Sequence, residues 1–250
     1  MNNIILLVND LMKSYDEDGR KNTVLKNIDL EVREGEFVTI MGPSGSGKST
    51  FLYSISGMDE IDSGEVFFAG KDISKLSETE SSDIRLKKMG FIFQNPTLLK
   101  NLNIVDNIAL PAFKNNVLSK DEIYERTESL MQKTSIDYLE DRAVNKVSGG
   151  ELQRACICRA LINNPDIIFG DEPTGALNSK NSAEIIKILQ EINAEGKTIV
   201  LVTHDPKVAI SSSRVLFLKD GQICSDLNLK DLDVEARRAA VMDEMIELNI

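Results

Sequence analysis

One glycine-rich stretch, GPSGSGKST at residues 42–50, constrains the fold of this chain more than any other feature. It fits the pattern G-x-x-x-x-G-K-[ST], which binds phosphate when it joins a strand to a helix. A short apolar run, FVTIM, precedes it, and Phe51, Leu52 and Ile55 follow at helical spacing. The sequence therefore predicts a strand, a turn whose backbone N–H groups point at phosphate oxygens, and a helix whose positive dipole end faces the same ligand.

Every residue of this stretch is a candidate contact for a nucleotide. Lys48 is expected to reach the β- and γ-phosphates, and the Ser49 hydroxyl is expected to ligate Mg²⁺. The glycines allow the tight curl of the backbone. The predicted binding set of the loop is Gly42, Pro43, Ser44, Gly45, Ser46, Gly47, Lys48, Ser49 and Thr50.

The composition is that of a globular protein with a hydrophobic core, since 42% of the residues are hydrophobic and 28% are charged. The longest apolar runs, at residues 4–8 and 199–202, fall far short of the ~20 residues that a membrane-spanning helix needs. The N-terminus has no basic segment before its apolar run, which is not typical of a signal peptide. These features predict a protein that stays in the cytoplasm.

The net charge argues against a nucleic-acid-binding protein, and the cysteine spacing argues against a metal site or a disulfide. The 29 basic and 40 acidic residues give a net charge of −11, which argues against broad nucleic-acid binding. Cys156 and Cys158 point about 200° apart on a helix and cannot share a metal or a bridge. With Cys224 they make an odd number without ligand spacing, and we interpret all three as reduced core thiols.

Apolar runs alternate with helical patterns along the chain, which predicts an α/β fold whose mainly parallel sheet is covered on both faces. An antiparallel β region is expected at the start, and a polar loop is expected between Tyr15 and Asn22. The predicted strands are residues 4–11, 24–32, 37–41, 65–69, 89–93, 167–171 and 198–203, with a hairpin at 215–224.

Residues 95–147 carry no strong strand signal and are predicted to form a helical insert. Ser119 opens a capping box, S-x-x-E, for one of its helices. After the insert, a helix is expected from Ser148 to about Asn163, and another is expected to be capped by Ser179. The last twenty residues resemble an acidic amphipathic helix with its apolar side chains turned inward: Val241, Met242, Met245 and Ile246.

Two acidic residues lie at the carboxyl end of a predicted buried strand. In a parallel sheet, ligands bind at the carboxyl ends of the strands. Asp171 suits a Mg²⁺ ligand, directly or through water, and Glu172 suits a general base that activates water. His204 directly follows the next predicted strand and is expected at the same edge.

The segment VSGGE, residues 147–151, places a serine and two glycines at a helix start, which makes an anion site. Together with the loop and the acids, it resembles the ATP-binding cassette (ABC) family, whose signature reads LSGGQ. Glu151 stands where the family has glutamine. The resemblance covers about residues 1–225 and implies an ABC ATPase fold, in which a RecA-like core carries the helical subdomain of about 95–147. Residues 226–250 would then form a C-terminal helical tail.

The resemblance also implies the assembly and the remaining site residues. Two cassettes face each other head to tail, and each ATP lies between the loop of one and Ser148, Gly149, Gly150 and Glu151 of the other. Tyr15 would stack on adenine, and Val24 would contact the base or ribose. Gln94 would sense Mg²⁺ and the attacking water, and His204 would bond the γ-phosphate. The family usually has aspartate where this chain has Asn178.

Within the family, FIFQNPTLLKNLNIVDNIALP and GDEPTG resemble cassettes of the macrolide-exporter and lipoprotein-release type, and GALNSK resembles ATPases that protect bacteria from antimicrobial peptides. The expected function is ATP hydrolysis that powers a separate membrane permease, from a peripheral position on the inner face of the cell membrane. The alternative is a lipoprotein-release or cell-division complex. A DNA-repair or translation-factor ATPase is disfavoured, because the chain has no long coiled coil and holds one cassette.

Overall fold

The computed structural model describes residues 3–17 and 19–250. The strands of this part of the chain are β1 (Ile4–Glu17), β2 (Arg20–Arg33), β3 (Phe37–Met41), β4 (Ser63–Phe68), β5 (Lys71–Asp72), β6 (Met89–Phe93), β7 (Ile167–Asp171), β8 (Thr198–Thr203), β9 (Arg214–Lys219) and β10 (Gln222–Asn228). Its α-helices are α1 (Lys48–Ile55), α2 (Glu78–Lys88), α3 (Ile104–Asn115), α4 (Lys120–Lys133), α5 (Gly149–Leu161), α6 (Ser179–Ala194), α7 (Pro206–Ile210) and α8 (Val234–Leu248).

The central sheet has the order β10-β9-β3-β8-β7-β6, and only the β9–β10 pair in it is antiparallel. Every residue of β3 and β8 is buried, because helices cover both faces of a parallel sheet. The predicted α/β fold with a mainly parallel sheet is confirmed. Parallel register also brings the carboxyl ends of β3, β7 and β8 to one edge.

A second, antiparallel sheet has the order β2-β1-β4-β5. The predicted alternation in β2 is confirmed, since Ile28, Leu30 and Val32 are buried. The polar loop expected between Tyr15 and Asn22 is wrong: the two residues pair across a long hairpin. The strands continue past the core because their polar residues still pair across the ladder, as the Ser14 hydroxyl does with Thr23 Oγ1 at 3.2 Å.

Sequence patterns missed α2, and they did not single out α3 within the segment predicted to be a helical insert. Only Ser81 of α2 is fully buried, so its apolar periodicity is weak, and α3 contains Pro111, which favours a helix end. The expected cap of α6 was wrong by one residue. The Asn178 side chain accepts a hydrogen bond from the Asn181 N–H at 3.0 Å, and Ser179 is the first helical residue.

The helices between β6 and β7 have an apolar core of their own, separate from the clusters on the central sheet. It includes Ile104 and Ile108 of α3, Ile123 of α4 and Cys158 of α5. Burial raises the pKa of the Cys158 thiol to about 12, and burial also raises the pKa of Cys156. Both are core thiols, as predicted, whereas Cys224 is exposed and that interpretation was wrong for it.

Helix α8 packs on the edge of the central sheet through Val241, which is fully buried beside Phe217 and Val215. The predicted inward positions of Met242 and Ile246 are wrong, because they are 41% and 71% exposed. Met245, another of the residues predicted to point inward, does pack on the same cluster, so the contact face of α8 passes through positions 241 and 245 and leaves 242 and 246 outside it. Within residues 3–17 and 19–250, no helix has the length and apolar character to cross a bilayer.

We predict that Gly90→Ala lowers the free energy of unfolding by about 2 kcal/mol. A methyl group on Gly90 of β6 would lie 2.6 Å from the Ala160 carbonyl oxygen of α5, and backbone atoms cannot move aside cheaply. Gly149→Ala is the matched control, because its methyl group would meet Leu177 at an ordinary 3.7 Å. Urea unfolding of both variants tests this. Equal stability of the two would contradict the close contact between β6 and α5.

Candidate functional site

The loop after β3 is held in a tight curl by its glycines. Gly47, the N-cap of α1, has φ 98°, a left-handed value that L side chains rarely adopt. A side chain on Gly42 is excluded for a different reason: its Cβ would lie 2.0 Å from the Leu218 carbonyl oxygen of β9. One end of the loop therefore packs closely against β9, and the other end leads into α1.

Lys48 lies over this curl. Its ammonium group donates to the carbonyl oxygens of Gly42 at 2.9 Å and Pro43 at 2.8 Å, and the residue is 8% exposed. Burial lowers the pKa of the ammonium group, while the nearby carboxylates of Glu172 and Asp171 act in the opposite direction. A cation in this position is well placed to meet phosphate oxygens bound in the loop.

Asp171, at the end of β7, is fixed through both of its oxygens. The Ser49 hydroxyl donates to Oδ1 at 2.8 Å, and the Tyr53 hydroxyl donates to Oδ2 at 2.5 Å. A serine hydroxyl and a carboxylate at this distance are hard oxygen donors of the kind that Mg²⁺ prefers. This donor set fits a magnesium ion beside the loop.

Glu172 follows in a strained conformation, with φ 47°. The turn is secured by the Glu172 N–H, which donates to the Val202 carbonyl of β8 at 3.0 Å. Its carboxylate lies 2.8 Å from His204 Nδ1 and accepts from the Thr203 hydroxyl at 3.3 Å. Strain of this kind is kept where a structure positions a functional group. Here it turns the carboxylate toward the histidine after β8.

These groups meet at one cleft of about 320 Å³, here called the loop cleft. The hydroxyl of Ser46, a buried residue of the loop that is not part of the cleft lining, has no hydrogen-bond partner among the described residues. The residues that line the loop cleft are Val24, Ser44, Gly45, Gly47, Lys48, Ser49, Thr50, Glu172 and His204.

Tyr15 lies at the margin of the loop cleft rather than in its lining. Its hydroxyl donates to Asp59 Oδ2 at 2.6 Å, and the Lys13 ammonium lies 4.8 Å from the centre of its ring. Burial and this hydrogen bond raise its pKa, so the phenol is neutral near pH 7, and Thr50 of the loop is within hydrogen-bonding reach. Tyr15 is 39% exposed, and one face of its ring already contacts a cation.

Gln94 and Asn178 flank the acids without lining the loop cleft. A Cβ on Gly175 would lie 2.8 Å from Gln94 Nε2, so the glutamine packs on the turn that follows Glu172. Asn178 is exposed at the start of α6, where it acts as the N-cap. Gln153 of α5 donates to the Phe93 carbonyl at 3.0 Å and so ties α5 to the strand before Gln94.

The structure does not bring the segment 148–151 to the loop cleft of the same chain. Ser148 and Gly149 are exposed at the start of α5, and Gly150 packs against Asn181 of α6. Glu151 folds back as a capping box: its carboxylate accepts from the Ser148 N–H at 2.8 Å and from the Ser148 hydroxyl. The Tyr138 hydroxyl also donates to it. These hydrogen bonds lower the pKa of the Glu151 carboxyl.

A family comparison decides the class of the protein, because the family described as "ABC transporter" matches residues 25–175, more than half of the chain. This chain belongs to the ABC transporter family. The match includes the loop of residues 42–50, both acids and the segment 148–151, so the cassette motifs and the fold agree.

Relatives and solved structures of the family extend over nearly the whole chain. The bacitracin export ATP-binding protein BceA of Halalkalibacterium halodurans is 42% identical over 96% of this chain and 94% of its own length. The macrolide export ATP-binding/permease protein MacB of Pasteurella multocida is 38% identical over 90% of this chain, which spans only 35% of MacB. The ABC cassette MJ0796, solved as a dimer bound to ADP and Pi, is 38% identical with a TM-score of 0.84, over 90% of this chain and 98% of that one.

Three further tyrosine and threonine side chains contact candidate site residues and were not predicted from the sequence. Tyr53 bonds Asp171, Thr203 bonds Glu172, and Tyr138 bonds Glu151. Tyr53 could have been found, because it lies four residues after Ser49 on one face of α1. Tyr138 carried no such signal, since its partner comes from a different element.

We predict that Glu151→Ala lowers the free energy of unfolding by about 1 kcal/mol at pH 7, because it removes a capping box. Glu122→Ala is the matched control, since Glu122 caps α4 through Ser119 in the same way but without a tyrosine. We expect a smaller loss for it. Chemical unfolding of both variants measures the difference. An equal loss would contradict a stabilising role for Tyr138.

The contribution of Glu151 to the free energy of unfolding is predicted to depend on pH. The folded-state pKa of Glu151 is depressed below the ordinary value of 4.5, so its contribution is fully present above that value. It is lost as the pH falls through the folded pKa. The stability gap between the unmodified chain and Glu151→Ala should therefore be constant near neutral pH and shrink below pH 4.5.

Proposed function

We propose that this chain binds ATP with Mg²⁺ in the loop cleft and hydrolyses it. The observation that carries the proposal is the convergence of Lys48, Ser49, Glu172 and His204 on one cleft, with Asp171 hydrogen-bonded to Ser49 at 2.8 Å. Lys48 and the loop N–H groups bind the phosphates, and Ser49 and Asp171 hold the ion. When bound, Mg²⁺ neutralises charge that develops between the β- and γ-phosphates.

The residues of this chain then divide the remaining work. Glu172 accepts a proton from the attacking water as general base, and its strained backbone and the Thr203 hydroxyl fix the direction of its carboxylate. His204, 2.8 Å from Glu172 Oε1, orients the water and bonds the γ-phosphate. Gln94 packs on Gly175 and would also contact the attacking water.

A second copy supplies the other half of the site in this proposal. Ser148 and Gly149 are exposed at the start of α5 and Gly150 follows them, away from the loop cleft of their own chain, which suits this helix start to a nucleotide held by a partner. MJ0796, which shares the fold and 38% of the aligned sequence, forms a dimer. Tyr15 and Val24 would contact the adenine and ribose, and Asn178 would lie near the interface.

We predict that Glu172→Gln keeps ATP binding but reduces hydrolysis at least 100-fold, since the amide cannot accept the proton. The closed dimer should then accumulate with ATP. Size-exclusion chromatography with and without ATP, together with phosphate release, measures both effects. Glu125→Gln changes an exposed glutamate of α4 and is the matched control. Near-normal turnover of Glu172→Gln would assign the base elsewhere.

The cassette is proposed to power a separate membrane permease in export of, or resistance to, peptide antibiotics. Support comes from BceA, named for bacitracin export, with which this chain shares 42% identity over almost the full length of both. The cassette would act from the inner face of the membrane as a peripheral subunit. Identification of the transmembrane chain that co-purifies with it tests this proposal, because a large permease supports peptide resistance.

A groove beside β6 is proposed as the permease contact. It has a volume of about 300 Å³ and lies between α2, α3 and α5. Met58, Phe91 and Pro111 give it an apolar wall, Arg159 adds positive charge, and the charge of Arg85 is shared with Glu78 in an ion pair. An amphipathic cytoplasmic helix with an acidic residue has the complementary chemistry. Because α3 belongs to the helical insert and α5 packs on the core of the insert, movement of the insert on ATP binding would move this groove.

We predict that Met58→Glu abolishes co-purification of the permease. Docking would bury the new carboxylate against an apolar helix that carries an acidic residue. Ile246→Glu on α8 is the control, because it places the same charge at another exposed apolar position. ATP binding by each isolated variant checks folding. Retention of the permease by Met58→Glu, or its equal loss from both variants, would exclude the groove.

A further inference from the structure

Tyr53 and Ser49 reach the same carboxylate from one face of α1. They are four residues apart, which brings side chains together on a helix. Ser49 donates to Asp171 Oδ1 at 2.8 Å and Tyr53 donates to Oδ2 at 2.5 Å, so each oxygen has its own donor. Asp171 therefore has its plane and direction set by α1.

The position of Tyr53 is well fixed. Its ring packs against the apolar cluster on the central sheet, and its carbonyl accepts from the N–H groups of Met58 and Asp59 at 2.9 Å and 3.1 Å. The Tyr53 hydroxyl is the donor in the contact with Asp171 Oδ2, because a carboxylate oxygen can only accept a hydrogen bond.

We propose that Tyr53 is a positioning residue for the magnesium site, which holds Asp171 Oδ2 so that Oδ1 faces Ser49 and the ion. The proposal rests on the ATPase function proposed above and deepens it. A carboxylate side chain has a broad terminal torsion, and a second donor removes that freedom. Partners behind a metal ligand orient it and tune its affinity for the ion.

The two hydrogen bonds have different roles in this arrangement. The Ser49 hydroxyl can ligate a cation through a lone pair of its oxygen while its O–H still donates to Asp171 Oδ1. Tyr53 has no path to the ion except through Asp171, because its hydroxyl lies on the opposite oxygen. Loss of the phenol hydroxyl should therefore weaken metal binding without removing a ligand.

The test is Tyr53→Phe, which removes one oxygen and keeps the ring. Mn²⁺ is the probe, titrated by electron paramagnetic resonance against the chain saturated with a non-hydrolysable ATP analogue. We expect its affinity to fall about tenfold, the lower end of the usual range for such partners. The Mg²⁺ concentration for half-maximal ATPase should rise equally, and kcat should recover at saturating Mg²⁺.

Tyr124→Phe is the matched control. It removes the same hydroxyl from another tyrosine–aspartate pair, Tyr124 to Asp106 at 3.0 Å, within the helical insert. Its Mn²⁺ affinity should equal that of the unmodified chain. Unchanged affinity in Tyr53→Phe would overturn the proposal, as would a lower kcat at saturating metal with unchanged affinity. If the unmodified chain binds neither Mn²⁺ nor the analogue, the proposed ATPase function itself fails.

Discussion

The register of the parallel sheet is the constraint on which the candidate site depends. β3 leads into the loop that carries Lys48, β7 ends at Asp171, and β8 ends directly before His204. Since β3 pairs with β8 and β8 with β7 in parallel, all three deliver their polar residues to one edge. Side chains alternate along a strand, so a slip of one residue would turn Asp171 away from Ser49. The buried apolar residues of these strands therefore specify the geometry of the site as well as the core.

Sequence patterns predicted this part well because its signals are local and strong. Continuous apolar runs identified β3, β7 and β8, and the residue types at their ends indicated the chemistry. Prediction was poorer where structure depends on distant partners. Tyr15 extends β1 because Asn22 pairs with it, and α2 is helical although it buries little. The contact of Tyr138 with Glu151 arises only when separate elements meet, so the sequence held no direct sign of it, whereas the spacing of Tyr53 from Ser49 was a local sign that was not used.

The helical insert divides the cassette motifs into two groups. Its own apolar core joins α3 and α4 to α5, so the segment that begins at Ser148 is rigidly connected to the insert. The loop and the acids instead belong to the central sheet. Gln153 bridges the two groups through the Phe93 carbonyl, one residue before Gln94. A change at the nucleotide therefore has a short packed route to the insert, through Gln94 and α5, and the groove beside β6 lies on that route.

Within a single chain, Glu151 already provides an acceptor for the hydrogen-bond donors at the start of α5. Its carboxylate occupies the Ser148 N–H and hydroxyl, the donors that a phosphate of the second copy would use in the proposed sandwich. Two anions cannot share the positive end of α5 at little cost, since both draw on the same donors and the same dipole. Closure of the dimer would thus replace an internal carboxylate by the nucleotide, and reopening would restore it. In the proposed sandwich this exchange would lower the net free-energy gain from closure, because the Ser148 donors already have an acceptor within the single chain.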